Sequence, residues 1–303
     1  MLAIIDGDVL VYQAFKPRPK PHKYSNDEDF TCLDQADEVE EKPSETKIIR
    51  LDAEGRPIQE EEEYPYTPAE DAAYLKASWN NFQKDLDKLL GKLFCDEYVM
   101  AVKGEGCYRY DLFDDYKKQR SKHYGLGRKE LVNDFVPELR KLAVYEGYAI
   151  PADGREADDL IRTWANEARR ADQDYIICSI DKDLRCIPGK HYIMHYDPEK
   201  QKVLDISAEE AMRHYYEQLL KGDPVDNIPG VPRVGEVKAA KLISGCLTEK
   251  EMQDVVVEQY FNAYGAENWY DYFLINAKLI HIQNHVEDFF DCRHWPIIQE
   301  LCG

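Results

Sequence analysis

No stretch of this sequence approaches the ~20 consecutive apolar residues that a membrane-spanning helix needs. With 32% charged residues, the chain reads as a protein without a membrane partner. The N-terminus lacks a basic region ahead of an apolar core. Met1-Leu2-Ala3-Ile4-Ile5 meets Asp6 at once, which is not the pattern of a signal peptide. No CxxC pair occurs among the eight cysteines, which lie scattered at 32, 95, 107, 178, 186, 246, 292 and 302. That spacing offers neither a disulfide framework nor a zinc site, and it suits a reducing cytoplasm. Internal repeats are missing too. What remains is a 303-residue chain, 44% hydrophobic and 12% aromatic, with enough apolar material for one large α/β domain or a domain and a smaller partner.

An excess of basic charge is also missing, since the net charge is −20. The acidity is local. Residues 24–71 hold 17 acidic and 4 basic side chains, a net of −13, which leaves −7 for the other 255 residues. The stretch from about 16 to 68 opens Lys16-Pro17-Arg18-Pro19-Lys20-Pro21 and contains Glu60-Glu61-Glu62-Glu63 with few periodic apolar positions. It reads as an acidic insertion, partly or wholly disordered.

Around it the pattern alternates. Leu2–Ile5, Tyr98–Val102 and Tyr175–Cys178 are short apolar runs of buried strands, and His191–His195 and Lys202–Ile206 add two more. Helical spacing covers 69–93, 130–146 and 156–170, and the chain from Ser207 onward is helical apart from a Gly/Pro-rich break at 222–235. Strands separated by helices predict an α/β fold, a largely parallel sheet flanked by helices.

Four acidic groups follow strands or open helices: Asp6/Asp8, Glu156/Asp158/Asp159, Asp181/Asp183 and Asp223/Asp226. Two carboxylates spaced two apart on an extended chain share a side. Carboxylates in the first turn of a helix meet the positive end of its dipole. In a parallel sheet the carboxyl ends of the strands line one edge, where these groups converge. Each like-charged pair at 4 Å costs about 4 kcal/mol at an effective dielectric of 20. Such a cluster therefore calls for cations, and an all-oxygen donor set selects Mg²⁺ or Mn²⁺ over zinc. Two such ions about 4 Å apart stabilise the attacking and leaving oxygens of phosphoryl transfer. Singly, each group reads as a helix cap or a turn; together they read as a metal centre.

Positive charge gathers elsewhere. Tyr116-Lys117-Lys118-Gln119-Arg120-Ser121-Lys122 carries four cations and no acid, after Tyr108, Arg109 and Tyr110. Basic residues interleaved with aromatics suit a phosphate backbone with splayed bases, and alone they equally suit a solvated helix. The segment Asp226-Asn227-Ile228-Pro229-Gly230-Val231-Pro232-Arg233-Val234-Gly235 precedes a helix bearing Lys238 and Lys241. Glycines before a helix N-terminus present N–H groups to a phosphate, or simply build a structural helix-turn-helix.

In this order the motifs resemble the bacteriophage 5′-3′ exonucleases and flap endonucleases, relatives of the 5′-nuclease domain of bacterial DNA polymerase I. Asp6-Gly7, Tyr116-Lys117-Lys118-Gln119-Arg120, Glu156-Ala157-Asp158-Asp159, Ser179-Ile180-Asp181-Lys182-Asp183 and Gly222-Asp223 through Gly230-Val231 carry the resemblance. It covers about half the chain, residues 1–15 and 95–245. The resemblance implies a PIN-like sheet with a helical arch at about 104–133 inside a nuclease domain of residues 1–206. A helical DNA-binding region would follow at 207–303, with a helix-three-turn-helix at 226–243.

It further implies Asp6, Glu156, Asp158 and Asp159 around a catalytic metal, with Asp181, Asp183, Asp223 and Asp226 reaching a second. Lys117 and Arg120 would contact the scissile phosphate. Gly230, Arg233, Gly235, Lys238 and Lys241 would grip the duplex backbone, with K⁺ as a further ion. The substrate would be DNA with a 5′ end or 5′ flap, or an RNA–DNA hybrid, cut by a monomer in the cytoplasm, the host's if the chain is phage-encoded. The family usually places an Asp at the end of the second strand; here Ala101-Val102-Lys103-Gly104-Glu105 leaves it missing or replaced by Glu105. That departure keeps open a DNA-structure-binding protein with weakened catalysis, and the carboxylate-edged sheet keeps open a PIN-type ribonuclease.

Overall fold

The computed structural model describes residues 1–16, 66–118 and 128–302. The expected disordered insertion lies almost wholly outside them, as do Arg120 and Lys122. The described residues of Met1–Lys16 and Ala77–Gly303 form one compact unit.

This unit opens on strand β1 (Leu2–Asp6), buried from Ala3 onward, and turns at once into helix α1 (Gly7–Ala14). That abrupt turn depends on Gly7. A Cβ there would stand 2.6 Å from Met100 and 2.9 Å from the carbonyl oxygen of Ala101, so only glycine lets α1 cross the neighbouring strand so closely. Helix α2 (Pro68–Leu93) buries Phe82, Leu86, Leu89 and Leu93, spaced three and four apart as one face of a helix requires. Strand β2 (Glu97–Lys103), the short helix α3 (Tyr108–Leu112), helix α4 (Arg128–Tyr145), strand β3 (Ile150–Ala152) and helix α5 (Ala157–Arg170) follow.

Next come β4 (Tyr175–Ser179), a 3-10 turn at Asp183–Cys186, β5 (Gly189–Ile193) and β6 (Val203–Ile206). The sheet order is β3-β2-β1-β4-β5-β6, parallel except for the antiparallel β5–β6 pair at one edge. The mostly parallel α/β sheet is as expected. Strand β3 is not among the expected strands: its three residues, with Pro151 in the middle, carry too little apolar pattern to mark one.

Helices α6 (Ala208–Lys221), α7 (Glu236–Ile243), α8 (Glu249–Tyr264), α9 (Trp269–Ile280) and α10 (Pro296–Cys302) complete the chain. They share a core built on Leu219, Val256, Tyr260, Phe273 and Trp295. The side of the sheet covered by α5 is packed separately with Ile4, Ile161, Ala165 and Ile177. Among the described residues no helix is long and apolar enough to cross a membrane.

Candidate active site

β1 and β4 lie side by side, and both end at the same edge of the sheet. Asp6 is the last residue of β1, with Asp8 in the first turn of α1. Asp181 follows β4, and Asp183 opens the 3-10 turn. α5 contributes Glu156 as its N-cap and Asp158 in its first turn. Asp223 and Asp226 come from the loop after α6, a tight turn closed by paired backbone hydrogen bonds between Asp223 and Ile228 at 2.9 and 2.8 Å. The turn needs Gly222 at φ 67°, because a Cβ there would lie 2.3 Å from the carbonyl oxygen of Ile228. These eight carboxylates line one cleft with a cavity volume of about 440 Å³.

Hydrogen bonds fix several of them. Ser179 donates its hydroxyl to Asp6 Oδ2 at 2.7 Å and accepts the Asp181 N–H at 2.9 Å. Asp183 Oδ1 accepts from Gln218 Nε2 at 2.6 Å, tying α6 to the sheet edge. Asp8 accepts from Arg140 Nε at 2.7 Å and from the Lys103 N–H at 3.1 Å, so each of its oxygens already holds a donor.

The electrostatics follow from crowding. Burial, with the nearby charges of Asp8 and Asp181, pushes the Asp6 carboxyl up to about 7. Asp183 is likewise raised to about 7 by burial and by Asp181, Asp223 and Asp226. Asp158 is raised well above the usual carboxylate range by burial and then by Asp181, Asp6 and Glu156. Carboxylates held this way disfavour their charged forms until a cation compensates them. Lys117 supplies one: its ammonium pairs with Glu156 and lies 3.5 Å from Asp226 Oδ2. Among the described residues no three carboxylates are already gathered at the spacing of a formed coordination shell. The donors are all oxygen, and the raised carboxyls fit hard divalent ions in character.

Several of the expected site residues are engaged within the protein. Asp159, expected among the metal ligands, is fully buried and does not line the cleft. Arg109 donates to both its oxygens, at 2.7 and 2.9 Å, and the N–H groups of Gln283 and Glu156 add further bonds. Burial raises the Asp159 carboxyl, but the hydrogen bonds and charge of Arg109 outweigh it and leave the group lowered. Arg109, expected to meet DNA, is only 1% exposed and donates two further N–H groups to the carbonyl oxygens of Leu279 and His281. Tyr116, also expected at the DNA surface, is buried and donates its hydroxyl to Glu156 at 3.0 Å. Tyr108 is half-buried against Phe289, while Lys118 is exposed and paired with Asp115.

In the hairpin, the Gly230 N–H is taken by Asn276 Oδ1 at 3.0 Å, so it is not offered to a phosphate. Arg233, Gly235 and Lys238 are exposed around the N-terminus of α7, and Lys241 is exposed in its last turn. At the end of β2, Glu105 is exposed and off the cleft; the side chain lining it there is Lys103. The roles of Gln218, Arg140 and Asn276 carry no sequence signal, and Ser179 stands in its motif with no role assigned to it. Each acts as a partner of a residue far away in the chain.

Residues 72–219 match the family described as 5′-3′ exonuclease, N-terminal resolvase-like domain. The chain is 36% identical over 174 residues to the DNA polymerase I of Bacillus caldotenax, covering 51% of this chain and 19% of that protein. To that of Rhizobium leguminosarum it is 34% identical over 144 residues, 45% of this chain and 14% of that one. The chain thus spans less than a fifth of these relatives. Against the flap endonuclease Xni of Pseudoalteromonas translucida it is 25% identical over 225 residues, 71% of this chain and 84% of that protein. The fold is that of the bacteriophage T5 flap endonuclease, solved in complex with DNA and metal ions, with a TM-score of 0.52, 13% identity and coverage of 91% and 88%. Residues 72–219 thus match the 5′-3′ exonuclease N-terminal domain, and the chain is similar in sequence and in fold to the 5′-3′ exonucleases and flap endonucleases.

Proposed function

We propose that this chain is a divalent-metal-dependent 5′-3′ exonuclease and 5′-flap endonuclease that hydrolyses DNA, and RNA annealed to DNA, to products with 5′-phosphates. The observation that carries the reading is the convergence of eight carboxylates on one cleft, with Asp6, Asp158 and Asp183 all raised by burial and mutual repulsion. Asp6, Glu156, Asp158 and Asp181 on one side, and Asp183, Asp223 and Asp226 on the other, would hold Mg²⁺, with Mn²⁺ able to replace it. Bound there, such ions supply a deprotonated water at neutral pH and charge stabilisation for the leaving 3′ oxygen.

The chain's own residues do the rest. Ser179 orients Asp6, and Gln218 orients Asp183. Lys117 lies between Glu156 and Asp226, from where its ammonium can turn to an arriving phosphate and stabilise the charge that develops there. Arg120 would assist it. Arg233, Gly235, Lys238 and Lys241 would hold the duplex backbone; K⁺ at the hairpin rests on the family resemblance alone.

One observation favours a second reading. Lys103 lines the cleft at the end of β2, where the resembling family usually has an Asp, so this chain is a DNA-structure-binding protein with weakened catalysis if metal is held too loosely. Digestion of a labelled 5′-flap duplex with Mg²⁺, with Mn²⁺ and with EDTA decides. The nuclease reading expects cleavage near the junction in both metals and none in EDTA. Binding without cleavage in either metal supports the second.

A further inference from the structure

A second cavity, of about 1070 Å³, lies beside the carboxylate cleft and shares Asp8, Tyr12 and Asp181 with it. The two adjoin at these residues. Its composition changes away from that shared rim. There the charged lining, among the described residues, is Lys16, Lys88 and Lys92 against a single carboxylate, Asp85. Lys16 and Lys88 both approach Asp85, at 3.6 and 3.5 Å, and Lys92 lines the same cavity.

The floor is aromatic. Tyr12 is 46% exposed and Tyr196 76%. Tyr196 lies 4.3 Å, centroid to centroid, from the His195 ring at a tilt of 31°. The far wall is braced. Gln13 donates to the carbonyl oxygen of Met194 at 2.7 Å, Gln201 to that of His195 at 2.7 Å, and Lys92 to the Tyr192 hydroxyl at 2.8 Å.

A large aromatic left in water beside the site is not explained by the core. A ring with one face braced and the other open, among lysines, is the chemistry that binds a nucleic-acid strand by stacking its bases and neutralising its phosphates. We propose that this groove is a single-strand subsite. A strand whose phosphodiester reaches the carboxylates would continue past Tyr12 and stack an unpaired base on Tyr196, with Lys16, Lys88 and Lys92 along its backbone. The proposal rests on the nuclease reading for the strand's path. Its binding chemistry does not require cleavage.

The test is the binding of a fluorescein-labelled ten-nucleotide oligo(dT), with oligo(rU) as a second arm, to the full chain in EDTA. An oligonucleotide carrying 2-aminopurine reports stacking directly. Base–aromatic stacking predicts that Tyr196→Ala binds between about fivefold and about a hundredfold more weakly and loses the 2-aminopurine quench, while Tyr196→Phe keeps both. Affinity for blunt duplex should not change. Tyr196→Ala binding the oligonucleotide as wild type does, or wild type failing to bind it, overturns the subsite. A chain that binds through Tyr196 but cuts no flap in Mg²⁺ or Mn²⁺ overturns the nuclease reading and leaves the subsite standing.

Discussion

The guanidinium of Arg109 and the carboxylate of Asp159 face each other through two hydrogen bonds, at 2.7 and 2.9 Å, with both side chains removed from water. The pair joins α3 to the start of α5, and through the Leu279 and His281 carbonyls it also fastens the end of α9. Its position next to Glu156, 3.7 Å from Arg109, makes it the base on which the cleft-facing turn of α5 is built.

Breaking a buried ion pair by removing one partner leaves a charge uncompensated, at a cost of about 3–5 kcal/mol. Arg109→Leu should therefore lower the midpoint of urea unfolding markedly, and Asp159→Leu should do the same. Were Asp159 instead a metal ligand, its substitution would weaken divalent binding with little loss of stability in EDTA. Urea titrations of both variants in EDTA separate these outcomes.

The raised carboxyls give the metal-free protein an unusual pH dependence. Asp6 and Asp183 hold their protons up to about pH 7 when folded, against an ordinary value of 3.8. Between those values the folded state binds more protons than the unfolded one, so stability falls as pH rises through this window. In EDTA the melting temperature should drop between pH 5 and pH 8, and saturating Mg²⁺ should largely remove the drop. A melting temperature that climbs across that range in EDTA would show the cluster to be unstrained.

Lys117→Ala should slow turnover far more than it weakens duplex affinity, because charge develops on the phosphate only in the transition state. Single-turnover rates and equilibrium binding on the same flap substrate measure both. Equal losses would make Lys117 an ordinary backbone contact.

Lys238 is exposed in the first turn of α7, beside Arg233 and Gly235. Lys238→Ala should weaken duplex binding uniformly across sequences and lower the slope of log K against log salt by roughly one phosphate contact. Unchanged slopes would remove the hairpin from the DNA surface.

Much of this architecture is written in short-range pattern. Apolar runs ending in acids mark β1 and β4, and three-and-four spacing marks α2 and α5. The same motifs bring Asp6, Glu156, Asp158, Asp181, Asp183, Asp223 and Asp226 to one cleft. What the pattern hides is long-range pairing. Arg109 and Tyr116 look like surface residues because they sit in a basic, aromatic stretch. Their burial is decided by Asp159 and Glu156, 50 and 40 residues away. Asp159 looks like its neighbours Glu156 and Asp158, yet on a helix each position turns by about 100°, which carries it from the cleft to the core. Gly230 is fixed by Asn276, a residue with no local signal at all.

The central claim is that the carboxylate cleft is where phosphodiesters are cut. The most direct measurement is the rate of 5′-flap cleavage against Mg²⁺ concentration for wild type and Asp158→Asn, with flap binding measured in EDTA alongside. Asp158 is half-buried in the cluster, and desolvation with the charges of Asp181 and Asp6 raises its carboxyl. Its neutralisation should abolish cleavage at every Mg²⁺ concentration while binding stays equal or tightens, since repulsion against phosphate is relieved. Cleavage by Asp158→Asn within a few-fold of wild type would place the active site elsewhere.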